Sequence, residues 1–214
     1  MQKLLIVAYV SVLSPIVPLI VAFIKPAILR KEQWYLICLL CLSLLSDGLL
    51  WYFLSKGINN WPIGNLYIIV QFILLYKLFA NKDKSKLSQV LLIIFLLFAT
   101  INFIFVQTPT TFNSRTSNIG SLFIIGMALW YLYRLFQEMP TNNILDMPML
   151  WVAFAVLFYF AGTLFLFLFN NYLIVNQPEN HQLGWVLHNI LNIIKNLLFA
   201  VALWKYYKRS MLWK

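Results

Sequence analysis

The sequence predicts an all-α fold: a polytopic membrane bundle of seven transmembrane helices forming one domain over residues 1–214, N-terminus outside and C-terminus cytoplasmic. Three observations carry this. Of 214 residues, 62% are hydrophobic and only 10% charged, whereas a soluble domain carries about a quarter charged residues. Seven runs approach the roughly 20 apolar residues needed to cross about 30 Å of hydrocarbon. The basic residues gather on alternate connections between those runs.

The first run, 4–24, follows a single lysine, Lys3. It is long for a signal-peptide core and no small-x-small cleavage site follows, so a retained span is expected. Pro15 and Pro18 fall inside it, and each removes a backbone donor, which predicts a kink. The second run, 34–55, contains Cys38 and Cys41 in the stretch WYLICLLCLSLL. With no further cysteine and no histidine nearby, the expectation is a pair of inert buried thiols, not a redox or zinc motif. The same run holds Asp47, the one acid within any span, flanked by Ser43 and Ser46.

The third run, 63–80, is the shortest and most polar, and includes Gln71. The fourth, 87–107, includes Asn102. Gly120, Gly126 and Ala128 in the fifth run (116–137) and Gly162 in the sixth (149–170) are small residues that let helices approach closely. The seventh run, 184–204, reads GWVLHNILNIIKNLLFAVALW. Short connections favour antiparallel packing of successive helices. A match between NLYIIVQFILL from Asn65 and NILNIIKNLLF from Asn189 sets Gln71 opposite Lys195. It is short and lies in low-complexity sequence, and chance accounts for it.

Charge sets the expected orientation. With the N-terminus outside, the cytoplasmic side receives Lys25, Arg30, Lys31, Lys77, Lys82, Lys84, Lys86, Arg134, Lys205, Lys208, Arg209 and Lys214. The outside receives Lys3, Lys56 and Arg115. This is a strong positive-inside bias. Trp34, Trp130, Trp151 and Trp204 then fall near the inner interface, and Trp51, Trp61 and Trp185 near the outer one. The formal net charge of +10 is accounted for by orientation and anionic headgroups. No basic stripe interleaved with exposed aromatics calls for nucleic acid.

The seventh run carries the informative polar residues. His188, Asn192 and Asn196 recur at i, i+4, i+8 and so form one stripe. Lys195, seven residues from His188, lies on the same side, with Ile190, Leu197 and Val201 opposite. A charge at the bilayer centre costs about 3 kcal/mol on insertion scales, so the stripe should face the bundle. Counted from the inner helix ends, Asp47 and Lys195 differ in depth by about 6 Å at 1.5 Å per residue. The expectation is an Asp47–Lys195 pair, direct or through water, in a ligand or proton cluster with His188, Asn192, Asn196 and Gln71, to which Asn102 is a further candidate. The asparagines alone are the alternative partners for Lys195. Asn170, Asn171 and the stretch NYLIVNQPENHQ, together with QTPTTFNSRTSN, are expected to be loops capping an outer vestibule.

Several classes are excluded. Two histidines cannot form a three-histidine zinc site, and His181 is placed in a loop, away from paired haem ligation. No glycine-rich phosphate loop and no Ser-His-Asp set at matching depth is present. The expectation is therefore no catalytic residues, no metal, no cofactor and no enzyme.

Seven spans, an outer N-terminus and a mid-membrane lysine in the seventh resemble microbial rhodopsins, in which such a lysine holds retinal as a Schiff base. This chain departs from them: Leu191 stands where they have an acid four positions before the lysine, and Gln71 is what the third span offers in place of counter-ion acids. The layout is also similar to small seven-helix sugar transporters built on triple-helix repeats, whose Pro-Gln motif is missing here. The functional expectation is an inner-membrane protein of sensor or receptor character with a polar intramembrane pocket, acting through a separate partner. A small-solute or proton-coupled transporter using the same cluster, and a structural or assembly subunit, are the alternatives. Expected partners are the lipid bilayer, a small ligand, and a cytoplasmic or membrane protein. The sequence does not set the oligomeric state.

Overall fold

The computed structural model describes residues 2–24, 31–80, 86–111, 113–138, 143–176 and 178–211, and side chains within 6–24, 31–80, 88–111, 113–138, 143–169 and 183–208. The side chains of Lys3, Lys25, Arg30, Lys82, Lys84, Lys86, Asn170, Asn171, His181, Arg209 and Lys214 lie outside these. The described residues are helices and turns without a strand. Among the described residues, seven helices are long and apolar enough to cross a membrane.

The first of these, Ile6–Phe23, is broken into α1 (Gln2–Leu13) and α2 (Ile16–Phe23). The expected kink is thus a two-residue turn at Ser14–Pro15. Its chemistry follows from the prolines. Pro15 has no N–H for the carbonyl of Ser11, and Pro18 none for that of Ser14. The Ser14 hydroxyl donates to Ser11 O at 2.6 Å and the Ser14 N–H adds a bond at 3.2 Å. The carbonyl of Ser14 receives Val17 N–H at 3.2 Å instead.

Helix α3 (Lys31–Ser55) ends in a Schellman motif. Ile58 N–H bonds to Phe53 O and Gly57 N–H to Leu54 O, both at 3.0 Å. This closure needs a left-handed residue, and Gly57 supplies it at φ 67°. The helix turns Cys38 outward and half-buries Cys41, both free, so the expected burial of the two thiols fails at Cys38. That residue lies on the outer face, where an apolar thiol suits lipid.

After α4 (Trp61–Ala80) and α5 (Lys86–Ile101), the helix widens into a five-residue π-helical segment, Asn102–Val106. Helices α6 (Ser114–Glu138), α7 (Pro148–Asn176) and α8 (Pro178–Met211) follow. NYLIVNQPENHQ, expected to be a loop, is helical except for Gln177, which is not described, so His181 belongs to α8. The apolar YLIV lets α7 run on, and Pro178 suits the first position of a helix because its missing N–H would be unpaired there.

The core runs between α3, α4, α6, α7 and α8, with Leu36, Leu40, Phe72, Leu75, Ala128, Val152, Val156 and Phe199 almost fully buried. Helix α8 packs on α7 and also on α1 and α2, so the first and last helices are neighbours. Helix α5 is peripheral: 17% of its span is buried, against 33–39% in the others. It is held by a stacked ring pair, Phe72–Phe95, with centroids 3.7 Å apart. Gly120 of α6 makes room for that pair; a Cβ there would stand 3.0 Å from Phe95. Gly126, expected to serve the same purpose, faces open space.

The outward surface is apolar. Leu45, Leu54, Ile93, Ile104, Phe105 and Phe165 are all well exposed. Trp34, Trp51, Trp130 and Trp204 are each at least half exposed. Such a continuous apolar exterior is what lipid requires and water does not tolerate.

At the end of the bundle where the chain finishes, Lys205 donates to Asp146 at 2.7 Å. That hydrogen bond, aided by the positive charges of Lys205 and Lys208, holds the Asp146 carboxyl below its usual range against an opposing burial effect. A carboxyl lowered on folding stabilises above its unfolded value of 3.8, and the effect disappears as pH falls through the folded value. The melting-temperature difference between wild type and Asp146→Asn should therefore be constant at neutral pH and close below pH 3.8. A difference that widens on acidification would contradict this. Arg134 and Glu138 form an i,i+4 pair at 3.1 Å on the same side.

Candidate functional site

The polar stripe of α8 divides between two neighbours. Successive i,i+4 positions advance by roughly 40° around a helix, so Asn192 and Asn196 lean one way from His188 and Lys195 leans the other. The asparagines meet α1. Asn192 Nδ2 donates to Ser11 Oγ at 2.9 Å and Ser11 O at 3.3 Å. Asn196 Nδ2 donates to Ser14 Oγ at 2.7 Å. These are the serines of the proline break, and Ser11 O is the carbonyl that Pro15 leaves without its helical donor. The two asparagines thus complete the hydrogen bonding of a broken helix; they do not solvate Lys195.

Asn196→Leu removes the donor to Ser14, the single side-chain bond that Asn196 makes among the described residues. Polar contacts of this kind in membranes are worth about 0.6 kcal/mol on average and up to about 1.7. A loss near the upper figure is expected, because the bond is buried and lies at the break. It would be read from melts in detergent, and an unchanged melting temperature would contradict the role.

Lys195, by contrast, turns toward α7 and α3. It is 4% exposed, with Nζ 4.2 Å from the ring centroid of Tyr159 on α7, a cation–π contact. Asp47 of α3 is close enough to interact electrostatically with Lys195. Yet no ion pair within 4.0 Å and no hydrogen bond joins these two or either one to another described residue. The ammonium offers three donors and the carboxylate several acceptor sites, all without a direct protein partner among the described residues.

Two tyrosines complete the surroundings. Tyr67 of α4 pairs with the Ser43 side chain and senses the charge of Asp47. Tyr159 senses both Asp47 and Tyr67. His188 is enclosed by rings, with Trp185, Tyr159 and Phe167 at centroid distances of 5.3, 5.6 and 5.7 Å. Its Nδ1 is sealed from solvent without a hydrogen-bond partner among the described residues, as is Ser46 Oγ beside Asp47. Lys195 and His188 are also electrostatically coupled. The result is one acid, one cation and one imidazole, walled by aromatics, with open hydrogen-bonding capacity on all three.

The geometry therefore brings together Asp47, Lys195 and His188 of the expected cluster and detaches Asn192 and Asn196. Gln71 is buried on the face of α4 that carries Tyr67, one turn further along, and makes no hydrogen bond to the other members among the described residues. Asn102 lies elsewhere. Its Nδ2 sits within 2.9–3.1 Å of Thr116, Asn113 and Gln107 side-chain oxygens. There it joins a network in which Asn65 Nδ2 donates to Pro109 O and Thr111 O at 3.0 and 2.8 Å and Asn65 Oδ1 accepts from Asn113 N–H at 3.1 Å. The stretch expected to line a vestibule is tied down by Asn65 of α4 and by Asn59, just before that helix, which donates to Thr110 O. Tyr67, Tyr159, Ser11 and Ser14 had no distinguishing signal in a chain with 17% aromatics and scattered serines.

Helix α7 approaches the Leu191 side chain of α8 closely at Gly162. A Cβ there would lie 2.5 Å from Leu191 Cδ1 and 3.1 Å from Cδ2. Thr163, next to it, bonds back to Tyr159 O at 2.8 Å, so Tyr159 and this close approach share one turn. Gly162→Val should cost about 1–3 kcal/mol by overpacking, and adding Leu191→Ala should recover most of it. If the second substitution adds a further loss, the close approach is not the cause.

Comparison of the chain with protein-family models, curated proteins and solved structures finds no match. Among the described residues, no three His, Cys, Asp or Glu side chains gather as a metal site.

Proposed function

We propose that this chain is a multi-pass inner-membrane protein of receptor character, N-terminus outside and C-terminus cytoplasmic, binding a small molecule between α3, α7 and α8. The observation that carries the reading is the pair Asp47 and Lys195: a half-buried carboxylate and a buried ammonium that attract one another without touching. Isolated charges in a low-dielectric interior are costly, and intramembrane ionisable residues mark ligand, ion or proton sites. The unsatisfied His188 Nδ1 adds a third polar contact. Orientation rests on the twelve basic residues assigned to one side against three on the other. The connections are short, so a receptor of this kind acts through a separate protein at its basic end, where Lys31, Lys77 and Lys208 are exposed.

A transporter is the second reading, favoured by the Ser14–Pro15 break, because transporter sites are typically built beside discontinuous helices. Native mass spectrometry of the protein and its Lys195→Met variant tests the binding reading. A discrete non-lipid mass on the wild type, absent from the variant, is the expected result; identical bare spectra would remove it. Flux of the identified molecule into liposomes, abolished by the same substitution, would convert the receptor into a transporter.

A further inference from the structure

We infer that the molecule bound at this site is a small zwitterion with a free ammonium group, an α-amino acid; the inference rests on the binding reading above and names its ligand class. The argument is one of complementarity. The site holds one negative and one positive group, Asp47 and Lys195, coupled across a separation that excludes a direct ion pair. An anionic ligand would meet Lys195 but add its own repulsion to Asp47. A cationic ligand would do the reverse at Lys195. A ligand carrying both charges satisfies each and leaves the buried site electrically neutral, the condition under which burying ions is tolerable.

The groups also specify kind. Asp47 accepts no hydrogen bond from a described residue, so its partner must donate, which an ammonium with N–H bonds does and a quaternary ammonium does not. Lys195 has donors only, and its partner must accept, as a carboxylate does. Tyr159 already occupies one side of the Lys195 ammonium at 4.2 Å, so the carboxylate approaches from another side. His188 Nδ1, buried and unpaired among the described residues, provides a further hydrogen bond. The rings of Tyr159, Phe167 and Trp185 around His188 make the adjoining wall aromatic, which suits an apolar ligand side chain.

The test uses the full chain in lipid nanodiscs. Each of the twenty proteinogenic α-amino acids is titrated with thermal unfolding and intrinsic tryptophan fluorescence as readouts. For any that binds, the carboxamide and the N-acetyl derivative are titrated beside it. The expected result is saturable binding of at least one amino acid, weakened at least tenfold by loss of either ligand charge, since both derivatives leave one protein charge unanswered. Asp47→Asn and Lys195→Met should each weaken it similarly. If a single variant fails to fold, the double variant Asp47→Asn/Lys195→Met, which buries no lone charge, is used and should not bind. Binding of a derivative as tight as its parent overturns the inference. So does failure of all twenty, and if native mass spectrometry still finds a Lys195-dependent mass, the site stands and only the ligand class falls. Bare spectra together with twenty failures remove both.

Discussion

Replacing Asp47 by asparagine should destabilise the bundle by about 1–3 kcal/mol. Removing one partner of a touching buried pair costs about 3–5 kcal/mol because the other charge is left uncompensated. Asp47 and Lys195 are not in direct contact, so the loss falls below that range. Lys195 is the charge left behind, and at 4% exposed it has little solvent to fall back on. Lys195→Met should cost less, since Met follows the apolar stem of lysine and the remaining carboxylate is only half-buried. The double variant should recover much of the Asp47→Asn loss, giving a coupling energy of about 1–3 kcal/mol. Unfolding of the four proteins in the same detergent measures it. Strictly additive losses would show that the two residues do not stabilise one another.

The second large effect is expected at Asn65→Ala. Asn65 is 2% exposed and makes three hydrogen bonds to the 107–113 connection. At about 1 kcal/mol net for each bond, the loss is about 3 kcal/mol. It should be accompanied by faster amide exchange across 107–113, because two carbonyls and one N–H of that segment lose their partner together. Asn65→Asp keeps the acceptor for Asn113 N–H but sets a carboxylate oxygen against the carbonyls of Pro109 and Thr111, so it should be no more stable than the alanine variant at neutral pH. If Asn65→Ala melts like wild type and the segment exchanges no faster, the clamp contributes nothing.

The helices were legible in the sequence because length and apolarity suffice to define a candidate span, and Pro15 and Pro18 announced the interruption of the first. Their ends were less so. The stretch from Tyr172 to Val175, expected to be a loop, continues α7. The π-helical segment at Asn102–Val106 left no mark, since its widening is a matter of backbone register. For the polar residues, sequence gave depth but not direction. Depth alone placed Asn102 with Lys195, whereas the arrangement of helices carries it to the Asn65 clamp. Helical periodicity grouped Asn192 and Asn196 with Lys195 correctly on one side. It could not foresee that an angular offset of a few tens of degrees hands them to a different neighbour. Ser11 and Ser14 were invisible as partners because their role comes from the carbonyl that Pro15 orphans, a relation that emerges once α8 lies alongside.

The pairing of the first helix with the last has a consequence for biogenesis. The side-chain bonds from α8 reach serines 181 and 182 positions earlier in the chain. At synthesis rates of about 5–20 residues per second, α1 waits roughly 10–40 s for α8 to emerge. During that interval the carbonyl that Pro15 deprives of its helical donor has only Ser14 to answer it. Latching of the first helix onto the last is thus a late step that waits for Asn192 and Asn196. A chain halted before Asn192 keeps its first span unlatched, without the two donors that α8 brings to the break.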